Sequence, residues 1–101
     1  MNTLIPNELL STIPDLYETE DLKDPLCHIK LFTPDSNFIW YIIELSKEDK
    51  NLCYGYVKAF ESELGYFTLE ELSQVRGGLG LPIERDISFK PTLLSKVKLC
   101  V

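Results

Sequence analysis

Histidine occurs once in this chain, at His28. Cysteine occurs three times, at Cys27, Cys53 and Cys100, with no CxxC pair among them. A structural zinc site takes four Cys or His ligands, usually in close pairs, so none is expected. An odd, scattered set of cysteines offers no disulfide framework either. Cys27 and Cys53 read as reduced residues buried in strands. Long apolar runs are also missing. The longest, Phe38 to Ile43, has the length of a strand, against the ~20 residues a membrane helix needs. The first residues, MNTLIPNELL, hold no basic segment and no small-residue cleavage site, so they do not read as a signal peptide. The expectation is a cytoplasmic protein with no membrane, metal or cofactor in its chemistry.

Positive charge is scarce as well. Ten Lys and Arg stand against sixteen Asp and Glu, for a net charge of −6. Such a chain repels the phosphate backbone at long range, which disfavours nucleic acid as a partner. The bases gather after Arg76, but Lys90, Lys96 and Lys98 are too sparse to reverse the balance and read as a solvated face. What remains is ordinary globular composition over 101 residues, enough for one domain with a single modest core.

Along the chain, residues 1–14 read as an N-terminal helical segment. Ile5, Leu9, Leu10 and Ile13 share a face, and Pro14 ends it after about two turns. Asp15 to Pro25 is an acidic surface loop. Residues 27–60 form the antiparallel sheet core. Cys27, Ile29 and Leu31 alternate with His28, Lys30 and Phe32. Pro34-Asp35-Ser36-Asn37 makes a turn into the strand Phe38 to Leu45, closing a hairpin. The next strand, Leu52 to Phe60, puts Cys53, Gly55 and Val57 on one side and Tyr54, Tyr56 and Lys58 on the other. Gly55 in mid-strand signals a bulge or a close neighbour. Glu61 to Gly65 reads as a turn. Residues 68–76 are a capped helix: Thr68 and Glu71 have capping-box spacing, Leu69, Leu72 and Val75 form the buried stripe, and Arg76 suits the negative end. Gly77 or Gly78 is placed to take the left-handed stop. Residues 77–101 supply a loop, a candidate last strand at Asp86 to Phe89, and a tail. The sum is a small single α+β domain, 1–101, with a three- to four-stranded antiparallel meander packed against short helices.

Several separated words carry a resemblance. They are TPDSN at Thr33 to Asn37, the Trp40-Tyr41 pair, ELGYF at Glu63 to Phe67, the EL and VRG of Glu71 to Gly77, and GLPIERD at Gly80 to Asp86. Together, in this order, they resemble the bacterial family known as domain of unknown function twenty-nine fifty-eight, over roughly Leu10 to Lys90. The resemblance implies a small bacterial protein of the kind carried on plasmids and other mobile elements. It implies no catalytic residues, because the family has none assigned.

The chemistry available to these residues is limited. Glu61, Glu63, Glu70, Glu71, Glu84 and Asp86 are acids of turn, cap and loop, where solvated or capping roles outweigh an acid/base pair. Arg85 reads first as a pin for its loop through a carboxylate, and second as a recognition residue for an anion. Arg76-Gly77-Gly78-Leu79-Gly80 follows a helix instead of leading into one, so it reads as a helix stop and not as a phosphate loop. His28 with Cys27 or Cys53 lacks the electropositive setting that a thiolate nucleophile needs.

The expected function is a non-catalytic bacterial accessory protein, associated with mobile elements, that binds another protein. The candidate binding residues are Trp40, Tyr54, Tyr56, Arg76, Glu84, Arg85 and Asp86. An unpaired sheet edge would also let two copies pair. Three readings compete. One is an acidic decoy for a nucleic-acid-binding defence protein. Another is a small enzyme with a site around Arg85 and Glu84, with His28 nearby. The third is a single-strand nucleic-acid binder using sheet aromatics.

Overall fold

The computed structural model describes residues 4–99. Its strands are β1 (Leu26–Cys27), β2 (Ile29–Phe32), β3 (Ile39–Leu45), β4 (Leu52–Lys58), β5 (Ser62–Thr68), β6 (Glu84–Arg85) and β7 (Thr92–Leu93). Its helices are α1 (Asn7–Leu10), α2 (Leu69–Gln74) and α3 (Leu94–Leu99). Five strands make one antiparallel sheet in the order β5-β4-β3-β2-β6, and β1 pairs with β7 in a second. The fold is therefore α+β, with more strands than the three or four expected.

The β2–β3 hairpin forms where alternation and turn chemistry agree. Leu31 sits opposite Trp40, and Phe32 opposite Ile39. Thr33 closes the turn: its N–H donates to the Phe38 carbonyl at 3.0 Å, and its hydroxyl accepts from the Phe38 N–H at 3.1 Å. Gly55 answers to a close approach, since a Cβ there would lie 1.8 Å from the Tyr41 carbonyl oxygen. The bulge lies in the neighbouring strand. Ile42 pairs with Gly55 but Glu44 pairs with Tyr54, so Ile43 is the extra residue. After that slip Ile43 and Glu44 lie on the same face.

Other segments depart from expectation. Glu61 to Gly65 is mostly strand: β5 pairs with β4 from Ser62–Lys58 to Thr68–Leu52. Only Phe67 of this strand is buried, so the segment carries little apolar signal. The last strand of the five-stranded sheet is Glu84–Arg85 and stops before Asp86 to Phe89. There the Asp86 carboxylate accepts from the Ser88 N–H and hydroxyl at 3.0 and 2.8 Å, turning the chain. α1 is only four residues long, although Ile5 and Ile13 on either side of it are buried. The tail folds into β7 and α3. Asp24, 71 positions earlier, caps α3 by accepting from the Ser95 N–H and hydroxyl at 2.8 and 2.7 Å.

The core has two parts, one on each face of the sheet. The first face carries Leu31, Trp40, Ile42, Leu45, Cys53 and Phe67, covered by Ile5, Ile13, Leu69, Leu72 and Ile83. The second carries Tyr41, Ile43 and Tyr56, covered by Cys27, Leu94 and Val97. Each fully buried side chain such as Ile42 or Ile43 contributes roughly 1.5–3 kcal/mol. Cys27 does not share a face with Ile29 and Leu31 as alternation implied, because the strand breaks at His28, whose N–H donates to the Ile42 carbonyl. Trp40 likewise belongs to the first face, opposite the one that carries Phe32, Tyr54 and Tyr56.

A candidate binding groove on the half-covered sheet face

Helix α3 covers only part of the second face. Antiparallel register draws a row of side chains across all five strands: Glu84 opposite Phe32, Phe32 opposite Ile39, Ile39 opposite Lys58, and Lys58 opposite Ser62. Phe32 and Ile39 are half-buried and floor a groove of about 690 Å³. The turn residues Thr33, Ser36, Asn37 and Phe38 wall one side, and Glu84 to Ile87 wall another. An acid, Glu84, and a base, Lys58, stand at opposite ends of the apolar floor. On the flank, Lys30 Nζ lies 3.7 Å from Asp86 Oδ2. The Asp86 carboxyl is held below its ordinary range, first by its hydrogen bonds to Ser88 and then by Lys30. Large apolar groups stand in water at the margin. Ile87 is 83% exposed, and Phe60, at 95%, meets Phe38 edge-on at 5.5 Å.

The seven residues singled out from the sequence do not form one site. Glu84 and Asp86 lie in the groove. Arg85 borders it through the β6 backbone, but its register partner is Leu31, on the first face. Among the described residues Arg85 makes no ion pair. The loop is pinned instead by β6 pairing and by the Asp86 N–H donating to the Lys30 carbonyl at 3.0 Å. Arg76 closes α2, donating from Nη1 to the carbonyls of Ser73 and Val75 at 3.0 and 2.8 Å. Trp40 and Tyr56 are core residues and present no exposed aromatic surface. Tyr54 is half-buried beside Tyr66, ring centroids 5.1 Å apart. Lys30, Ile39 and Lys58 went unnoticed as site residues. Alternation placed Lys30 and Phe32 together, but only the register shows that Ile39, Lys58 and Glu84 join them.

The capping box forms in a variant way. Thr68 accepts from the Glu71 N–H at 3.0 Å, and its hydroxyl donates to Glu71 Oε1 at 2.9 Å. The glycines beyond the helix do a different job from the expected left-handed stop. Val75 ends the helix with extended backbone, and of the glycines in this loop Gly80 alone has positive φ, at 84°. Gly77 is required by proximity, since a Cβ there would lie 1.5 Å from Asp35 Oδ1. Asp35 Oδ2 accepts from the N–H groups of Leu79 and Leu81 at 2.7 and 3.3 Å. The amides that a phosphate loop would offer an anion are thus occupied by the protein's own carboxylate.

Burial pushes both the Cys27 and Cys53 thiols up to about 12, which keeps them protonated. His28 is lowered by burial and does not line the groove.

The family model described as protein of unknown function (DUF2958) matches residues 4–97. The chain belongs to this family. Neither a curated protein nor a solved structure matches it. The words that carried the family resemblance now have places in the fold. TPDSN is the hairpin turn that holds Asp35, ELGYF lies in β5, and GLPIERD leads from the Asp35 contact into β6 and the groove wall.

Proposed function

We propose that this protein is a non-catalytic module of the bacterial cytoplasm that binds another protein through the groove over Phe32 and Ile39. It would act as an accessory of the mobile elements that the family resemblance implies. The observation that carries the proposal is the half of the second sheet face that α3 leaves uncovered, with an apolar floor and opposite charges at its ends. Exposed apolar surface rimmed by polar groups is what a protein partner covers. The enzyme reading has less support, because His28 lies outside the groove and both strand thiols stay protonated. Stacking on nucleic acid has less support too, with Trp40 and Tyr56 in the core.

Charge reversal tests this reading without disturbing the core. Lys58→Glu and Glu84→Lys, each checked for native circular dichroism, would be compared with wild type in affinity capture from a bacterial host. Both should lose the same partner, weakened by about tenfold or more. Retention of one unchanged set of partners by all three proteins would reject the groove as the binding surface.

A second contact is proposed along β5. This seven-residue strand forms one edge of the sheet and contains no proline or lysine to block pairing. Antiparallel addition of a second copy there would give a dimer, and light scattering over a range of concentrations would reveal it. A constant monomer mass would remove it.

A further inference from the structure

At the opposite end of the same face lies a cleft of about 310 Å³ whose chemistry differs from that of the groove. Tyr17, Tyr54 and Tyr66 line it, and beneath them is Glu44, only 3% exposed. The bulge at Ile43 turns Glu44 toward this face. Three donors converge on its two oxygens: the Tyr17 N–H at 2.9 Å, the Thr19 N–H at 3.0 Å and the Thr19 hydroxyl at 2.5 Å. That is the pattern an ionised carboxylate takes, since it can only accept. The Tyr54 and Tyr66 rings lie 5.1 Å apart at 53°. The Tyr66 hydroxyl pKa is raised by partial desolvation and by its hydrogen bond with Tyr17.

Tyr17 supplies an independent observation. Its φ is 70°, a left-handed conformation that a bulky residue rarely adopts and that must be held by its surroundings. Glu44 holds it by accepting its N–H. The fold thus uses one buried carboxylate to keep an aromatic residue, 61% exposed, at the mouth of an aromatic cleft. Collapse of apolar surface does not explain the arrangement, because Tyr66 is also 54% exposed.

Aromatic faces carry negative quadrupole charge, and a carboxylate beneath them adds a full one. We infer that the cleft formed by Tyr17, Tyr54 and Tyr66 over Glu44 binds an organic cation, an alkylammonium or guanidinium head. The surrounding loop adds the exposed acids Glu18, Glu20 and Asp21, against Lys23 at the rim. The same head can come from a small quaternary amine or from a Lys or Arg side chain of a protein. The inference stands apart from the groove, whose residues it does not use.

The test is NMR titration of the full chain with tetramethylammonium chloride, with the amides of acetyl-lysine and acetyl-arginine, and with neutral 3,3-dimethylbutanol. Saturable shifts of the Tyr17, Tyr54 and Tyr66 rings and the Thr19 amide are expected for the cations, with Kd in the range of about 1–10 mM. Tighter binding of the amino-acid amides than of tetramethylammonium would assign the head to a protein side chain, and the reverse order would assign it to a free amine. Tyr66→Leu should abolish the shifts and Tyr66→Phe should keep them, because the ring and not the hydroxyl meets the cation. No saturable shift, or equal shifts with the neutral alcohol, would overturn the inference.

Discussion

The carboxylate of Asp35 reaches across 44 positions of sequence to accept the Leu79 N–H at 2.7 Å. It ties the turn of the β2–β3 hairpin to the loop after α2, and so sets the line along which the chain enters β6. The groove wall at Glu84 to Ile87 depends on that entry.

Asp35→Ala is therefore expected to cost about 1–2 kcal/mol in urea denaturation, the value of hydrogen bonds to a partly exposed charged group. Gly77→Ala should cost a similar amount, because its methyl group would occupy the place of Asp35 Oδ1. The double variant should cost little more than either single one, since both remove the same contact. Full additivity would show that the two act separately.

Gly55 and Gly65 face each other across β4 and β5, yet they predict opposite outcomes. A Cβ on Gly55 meets backbone 1.8 Å away, whereas one on Gly65 meets nothing within 4 Å. Gly55→Ala should destabilise by about 3 kcal/mol or more. Gly65→Ala should be neutral or stabilise by about 0.5–1 kcal/mol. Thermal melts of the two variants check both.

His28 makes stability depend on pH. Its folded pKa is lowered by burial, so below the ordinary 6.5 the unfolded chain takes up a proton before the folded one does. Stability from this source is intact above 6.5 and falls as pH drops toward the folded value, by at most about 1.4 kcal/mol per pH unit. Asp15, Asp24, Asp49 and Asp86 are lowered by hydrogen bonds, so their contribution is lost at more acid pH, below 3.8. Urea midpoints should hold steady above 6.5 and decline as pH drops below it, and His28→Gln should flatten that decline.

Thiol chemistry gives a direct check on the core. With pKa values of about 12, Cys27 and Cys53 expose almost no thiolate at mild alkaline pH. A Cys100→Ser variant should give no reaction with a chromogenic disulfide while folded, and should titrate two thiols in urea. Fast native reaction would mean that one of the two faces opens readily.

Much of the fold was legible where local signals and tertiary packing agree. Thr33 to Asn37 announces its turn, the alternation in Leu52 to Lys58 matches its two faces, and Thr68 caps its helix. The strand β5 was hidden because it buries only Phe67 and so carries little apolar signal. The two-residue β6 and the Asp24 cap on α3 were hidden because their partners lie far away in sequence. The bulge at Ile43 leaves no mark in a run as uniformly apolar as FIWYII. Of the groove, Glu84 and Asp86 were legible as a charge cluster. Ile39 and Lys58 joined them only once the strands were in register.

The closure of the second face has a consequence for biosynthesis. Tyr41, Ile43 and Tyr56 are shielded by Leu94 and Val97 of α3, and β1 waits for β7. On the ribosome, Thr92 to Leu99 are made after β2 to β5, so the second face stays bare until they emerge and dock. During that interval the nascent chain displays its aromatic surface to whatever chaperone stands at the tunnel exit.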